Sequence, residues 1–512
     1  MKKILFLCLF VIAYQAISQN TSTTNPRVLK NNVRLSFLSV EMPIDEFPQL
    51  DDRMGIVGLR YQVPINNWLY AGAGFHKAIT GDQGGLFTLG VELGATTRLV
   101  GNLHADANFH FAGGGGYRFL VNDGALINAS AGVKYKFNDF AVGLAYNHFN
   151  FYTGEIEDNA VSIFVDVPSL FKVSDYKDAG KQYDLNLDNE LWNEPAVKTV
   201  LMGRLDVLHT MGDSKDDRGN DLQRNLYSAG FEYQKYLKSN TYLYVRTDAI
   251  YKGLRAGYMD IFLGGGYNIV DTNYLNLFTK FAIGAGGGRV FPEGGLTIWP
   301  EAGLDLKLHS KIYLTGRGGY YRALDGDLEA YTYGVGLKYV NLVGGSRSPD
   351  NSSNIKTKSQ GIRVELQNQT YLDIAKTDSP NGLEEVDLQL LAVKFNFDLS
   401  PYVYLTGETG FAYAGESGGY AHGMGGLGFY SPSFFNDKAR FYGEFLGGAA
   451  GGAGVDTGEG IVMRPTIGLL YVLDPNLSLV VSGGRFIALD GDTNSTNFNI
   501  GLSFNFSSLW QR

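Results

Sequence analysis

Cysteine is almost missing from this chain. Its 512 residues include one, Cys8, and that one lies inside an apolar run at the N-terminus. Beyond it there is no thiol, which excludes a disulfide framework, a thiolate metal centre and a cysteine nucleophile. Clusters of Lys and Arg are also missing. The formal charge is −9, and phosphate backbones are held by clustered cations, so nucleic acid is not an expected partner. After residue 18 there is no apolar run of the roughly 20 residues that a spanning helix needs. Proline is scarce, at 14 residues. Glycine, by contrast, supplies 67 residues and aromatics 13% of the chain. Average proteins hold about 7% glycine, so it is nearly doubled here.

The N-terminus reads as an export signal. Lys2 and Lys3 precede the apolar stretch Ile4 to Ala13, and Ala16-Ile17-Ser18 is a small-residue cleavage site. Residues 1–18 are therefore expected to be removed before Gln19, leaving a still more acidic mature chain with an extension over 19–32.

An exported chain without a spanning helix has one other way across a bilayer, a closed β-barrel in which every backbone group is paired. Period-two alternation supports it. Leu243, Val245, Thr247 and Ala249 alternate with Tyr244, Arg246, Asp248 and Ile250; Ile298, Pro300, Ala302, Leu304, Leu306 and Leu308 alternate with Trp299, Glu301, Gly303, Asp305 and Lys307. A mean hydropathy of −0.10 suits strands that turn half their side chains to lipid. Breaks in the pattern alternate between short and long. Short ones include Asn138-Asp139 and His309-Ser310-Lys311; long acidic ones include Met42–Arg53, Met211–Arg224 and Ala375–Glu385. Short periplasmic turns opposite longer outer loops are the expected outer-membrane arrangement.

An internal repeat organises the chain. Ala-Leu-Asp-Gly-Asp occurs at 323–327 and again at 488–492. The match extends without a gap, with Pro300, Gly303, Leu304, Gly318, Gly319 and Gly336 recurring as Pro465, Gly468, Leu469, Gly483, Gly484 and Gly501. A weaker third copy comes first, and the glycine runs Gly113–Gly116, Gly286–Gly288 and Gly447–Gly454 correspond. No helix follows them, so a phosphate-cradling loop is not expected; they read as places where a strand bends or a neighbouring backbone comes close. The repeat predicts an all-β, antiparallel, up-and-down transmembrane barrel protein with three units of eight strands, about 24 in all, over 33–168, 198–340 and 361–506. Linkers cover 169–197 and 341–360, the second reading as flexible, and a tail covers 507–512.

Whether the units close as three tandem eight-stranded barrels or join as one 24-stranded barrel is less fixed. The length of both linkers favours three. So does the balance of acids and bases on the inward face of the middle unit: Glu232, Arg246, Asp248, Asp260, Lys280, Glu301, Asp305, Lys307, Arg317 and Lys338. An eight-strand interior is just filled by side chains, and charge buried there must be paired.

Reactive groups are sparse. His104 and His110 share an inward face and Asp325, Asp327, Asp490 and Asp492 stand at alternate positions, so both sets are weak metal candidates; interior packing and Asp-Gly turns explain them more simply. His209-Thr210 and His309-Ser310 are the nearest approaches to a hydrolytic pair, and neither has a third member. No enzyme and no cofactor is expected. The final strand alternates Phe498, Ile500, Leu502, Phe504 and Phe506 with Asn499, Gly501, Ser503 and Asn505. It resembles the C-terminal assembly strand of outer-membrane barrels, with Asn499, Gly501, Leu502, Phe504 and Phe506 as its marks, although Ser507 to Arg512 follow. With the signal sequence, the Gln19 start and the Tyr/Phe/Asn-rich strands, the chain resembles the small outer-membrane β-barrel domain proteins common in Bacteroidota, with the unit tripled. That resemblance implies a cell outer membrane location in a Gram-negative bacterium. Its expected partners are the lipid bilayer, lipopolysaccharide and the barrel-assembly machinery. The expected role is non-enzymatic, structural or binding, through acidic outer loops. The competing expectation is a transport pore formed by one large barrel; a lipid-modifying enzyme is a weak third.

Overall fold

The computed structural model describes residues 26–512 apart from 49, 82, 184–190, 217, 292, 380 and 381. The proposed signal sequence lies outside these residues. The chain is all-β and antiparallel, with one 25-stranded sheet and a separate two-stranded one. The only α-helix among the described residues is Arg118–Val121, and no helix there is long and apolar enough to cross a membrane.

Each strand alternates as the sequence does. In Thr241–Lys252, Tyr242, Tyr244, Arg246, Asp248 and Ile250 are buried while Leu243 and Val245 face out. The outward face is apolar around the sheet, with Leu144, Val161, Leu205, Phe231, Leu263, Val335, Phe445 and Ile467 among its exposed side chains.

Strand Arg27–Glu41 pairs with Arg53–Pro64 on one side and with Glu157–Asp175 on the other, so the first eight strands form a closed barrel. The same return is seen twice more. Val197–Met211 pairs with Asn225–Tyr236 and with Glu329–Val343, in a register that sets Leu205 opposite Val335 and Val200 opposite Val340. Thr357–Ser379 pairs with Gly382–Asp398 and with Asn494–Gln511. Among the described residues, strand pairing between these runs is confined to a few positions near the short-turn end: Phe506 with Asp175, Ser507 with Ser174, Val343 with Trp510, and Gln182-Tyr183 with Thr357-Lys358.

Several boundaries differ from those read in the sequence. The first run extends from Arg27 to Asp175, beyond the expected 33–168. The segment 507–512 is not a tail. Strand Asn494–Gln511 runs through it, the Leu509 carbonyl accepts from Gly344 N–H at 2.8 Å, and the Gln511 carbonyl accepts from Lys311 Nζ at 2.8 Å. Carbonyls and N–H groups left at a sheet edge need partners, and the neighbouring runs supply them. Ala375–Glu385 is not an open loop but the end of a long hairpin between Thr357–Ser379 and Gly382–Asp398. The second linker is also tied down. Ser346 donates to the Trp192 carbonyl from both N–H (2.9 Å) and Oγ (2.7 Å), and Arg347 Nε donates to Asn193 Oδ1 at 2.9 Å.

At the long-loop end the three glycine runs meet neighbouring runs of strands. Gly113 lies on the Phe411 carbonyl and Gly115, at φ +138°, on the Gly419 N–H. Gly287 lies on the Gly84 backbone, and Gly451 on Ala256. Each seam thus joins the end of a unit's fifth strand to the loop between the third and fourth strands of another unit. A Cβ on Gly115 would stand 3.0 Å from the Gly419 nitrogen, so the approach requires glycine both for its φ and for its missing side chain.

Candidate functional site

The long inward side chains of each unit converge on one another. In the second unit Arg204 is the hub. It donates from Nη1 to Glu232 (2.6 Å), from Nη2 to Glu301 (2.7 Å) and from Nε to Asp206 (3.2 Å). Lys280 donates to Glu232 at 2.6 Å. Arg246 donates to Glu301 at 2.8 Å and to Asp248, and its guanidinium stacks 3.5 Å from the centre of the Trp299 ring. Arg317 donates to Asp206 and Lys338 to Asp305. The Asp248 N–H donates to Asp260 at 3.2 Å. The side chains of Arg204, Glu232, Arg246 and Lys280 have no exposed surface.

Nine of the ten charged residues expected inside lie in this interior. Lys307 does not. The register shifts between Lys307 and His309 next to the short turn, and its side chain is exposed. Arg204 and Asp206 were missed, although the alternation of Met202, Arg204, Asp206 and Leu208 with Leu201, Gly203, Leu205 and Val207 carries the signal.

The other units carry their own clusters. In the first, Arg34 joins Asp166 (2.6 Å) and Asp106 (2.9 Å), and Lys134 joins the same two acids at 2.9 and 2.7 Å. In the third, Glu408 accepts from Arg464 at 2.5 Å and meets His422 at 3.0 Å, while Lys394 pairs with Glu444. Toward the long-loop end each interior changes to an apolar plug: Leu208, Leu226, Leu254 and Trp299 in the second unit, Met54, Leu120, Val121 and Phe149 in the first, and Ile374, Leu388, Tyr420 and Phe486 in the third. Charges at this density bury favourably only when paired. The pairing fixes the side chains across the lumen.

The weak metal candidates are not brought together. His104 is half-buried, with Nδ1 3.0 Å from the Asn102 carbonyl oxygen. His110 is buried and packs edge-on against His76, with ring centroids 4.8 Å apart. Asp325, Asp327, Asp490 and Asp492 are all exposed, on two different units. Among the described residues no group of three or more His, Cys, Asp or Glu could hold a metal. Of the hydrolytic candidates, Thr210 Oγ1 donates to the Gln223 carbonyl, and Ser310 Oγ lies 3.0 Å from Nδ1 of its neighbour His309 in an exposed turn. In the final strand Phe498, Ile500 and Phe504 face outward, while Asn499 and Asn505 donate to Ser482 and Ser478 inside.

No family model matches this chain, and no curated protein matches it. Among solved structures it is similar to the siderophore receptor PirA of Acinetobacter baumannii, at 10% identity and a TM-score of 0.27, covering 95% of this chain and 81% of that one. It is also similar to OccK8 (OprE) of Pseudomonas aeruginosa, at 11% identity and a TM-score of 0.22, covering 94% and 98%. At such scores these similarities carry no weight for the role of this chain.

Proposed function

We propose that this is a non-enzymatic outer-membrane protein made of three separate, filled eight-strand barrels held side by side, a scaffold whose outer loops bind a partner. The carrying observation is the set of fully buried ion pairs across the lumen of the second unit. A transport pore needs side chains that face water, and these face each other. The apolar outward belt supports a membrane setting, because exposed leucine, valine and phenylalanine around a whole sheet would aggregate in water. The return of each unit's last strand to its own first strand supports three closures over one. The bilayer and the barrel-assembly machinery belong to the same proposal, the latter through the outward Phe498, Ile500 and Phe504.

Single-channel recording of the purified protein in a planar bilayer tests the reading. The expected outcome is no stable conductance step. A large, long-lived step would overturn the filled-barrel proposal and favour the pore.

A further inference from the structure

The outward face of the second unit lacks side chains at two positions where the first and third units carry them. Gly203 and Gly316 lie there with no atom within 4 Å of where a Cβ would stand. Buried aromatics fix the equivalent level in the three units: Tyr321, Phe149 and Phe486 are each 0% exposed. At that register Gly316 pairs with Val335, Leu144 with Ile163 and Val481 with Ile500. Gly203 pairs with Leu337, Leu35 with Val165 and Leu366 with Leu502. The first and third units thus carry large aliphatic side chains where the second carries none. Gly316 floors an open groove of about 440 Å³, walled by Leu205, Val207, Tyr227, Tyr333 and Val335, while Gly203 lies outside its lining.

The groove leads to a basic rim at the long-loop end. Asn225 pairs with His209 and Tyr227 with Lys252 across adjacent strands. His209 Nδ1 lies 2.9 Å from Asn225 Oδ1, and Arg224 Nε donates to His209 Nε2 at 3.2 Å. That bond holds the guanidinium over the rim, while Lys252 Nζ lies 5.8 Å from the centre of the Tyr227 ring. Two of the neighbouring acids are engaged elsewhere. Asp216 accepts from Arg218 and Asn220 in its own loop, and Glu329 accepts from Arg322 and Tyr320. Among the described residues no carboxylate pairs with Arg224 or Lys252.

We propose that this surface binds a phosphorylated lipid of the outer leaflet, one acyl chain in the groove and the phosphate between Arg224 and Lys252. The inference rests on the membrane reading above. A guanidinium and an ammonium form charge-assisted hydrogen bonds with phosphate oxygens, and an acyl chain supplies the van der Waals partners that the missing side chains leave out.

The test is native mass spectrometry of the full-length, delipidated protein titrated with bisphosphorylated lipid A. The expected result is one retained lipid per chain. Replacing both cations (Arg224→Ala with Lys252→Ala) is expected to weaken retention about tenfold, the equivalent of losing about 1.4 kcal/mol. Gly316→Leu, which installs the residue of the first unit, is expected to weaken it to a similar degree; Val481→Leu in the third unit is expected to leave it unchanged. Unchanged retention in both the double-cation and the Gly316 variants would overturn the site, as would equal retention of a dephosphorylated lipid A. Heat-modifiable migration separates two failures. Lipid lost with migration intact belongs to the site. A wild-type protein that shows no heat-modifiable migration would instead sink the barrel reading on which the site depends.

Discussion

The interiors of the three units and the seams between them are built from opposite materials. Inside, long charged side chains span the lumen and end on one another, as Arg204 does on Glu232, Glu301 and Asp206. At the seams backbones come close through glycine and alanine, where Gly115 meets Gly419, Gly287 meets Gly84 and Gly451 meets Ala256, with aromatic rings beside them: Phe87 stacks on Phe411 at 4.9 Å and Phe111 meets Tyr413 edge-on at 5.5 Å. The space inside an eight-strand barrel is about as wide as its side chains are long, so contents can specify each other through charge. Sheet faces packed on one another are held apart by the thickness of their side chains, and glycine and alanine let the backbones come close.

Removing one member of the interior network should have the largest effect. Arg204→Met leaves Glu232 and Glu301 short of a partner in a dry interior, and is expected to destabilise the second unit by about 3–5 kcal/mol. The check is the shift of the urea midpoint for the protein in lipid vesicles. A cost under about 1 kcal/mol would dissolve the contrast between charged lumen and glycine-rich seam. Gly287→Val acts on a seam instead. Overpacking of this kind costs about 1–3 kcal/mol and should part the first and second units while each keeps its own fold. Spin labels on the two units should then move apart with heat-modifiable migration unchanged; no change in separation would mean that the seam tolerates a side chain. Smaller again is Asp123→Ala. Asp123 Oδ1 accepts from the N–H groups of Gly415 (3.1 Å) and Glu416 (2.7 Å) across the seam of the first and third units. Its loss is expected to cost about 1 kcal/mol, read as faster hydrogen exchange confined to those amides.

The smallest expected effect lies outside both regions, in the second linker. Asp350 accepts from the Ser348 and Ser352 hydroxyls and the Ser352 N–H, and these bonds hold its carboxyl down to about 2, from 3.8. A depressed pKa gives a contribution that is complete above the ordinary value of 3.8 and lost as pH falls through about 2. The turn is therefore expected to stay unchanged from pH 7 to about pH 4 and to open below, seen as a shift of the Ser352 amide resonance. Opening at pH 5 would contradict the assignment.

Much of this architecture is legible in the sequence because a strand writes its two faces on alternate residues. The interior position of Glu232, Arg246 and Lys280 follows from that alternation, and so would that of Arg204 and Asp206. The exposure of Lys307 does not, because that residue lies at the short-turn end of its strand, where the interior opens to water. The seams are half legible. The glycine runs stand out, but nothing in a one-dimensional pattern says that Gly287 approaches Gly84 rather than a strand of its own unit. The groove of the second unit is hardly legible either. It depends on which strands lie side by side after closure, and its floor Gly316 and its wall Leu205 are 111 positions apart in the chain. The pairing of Trp510 with Val343 was hidden for a similar reason: a polar C-terminal hexapeptide looks like an end until it is seen to lie against two other units.

The seams repeat in one direction around the molecule. The glycine run of the first unit docks on the third, that of the third on the second and that of the second on the first. Each unit therefore offers two different surfaces, one to give and one to receive. Such heterologous contacts must either close into a ring or continue without limit. Under the three-barrel proposal the rotation closes at three, and the chain supplies three copies on one thread. Copy number is thereby set by covalent connection and not by protein concentration. A chain with two units would leave one giving and one receiving surface open to its neighbours, and with them a route to uncontrolled lateral assembly.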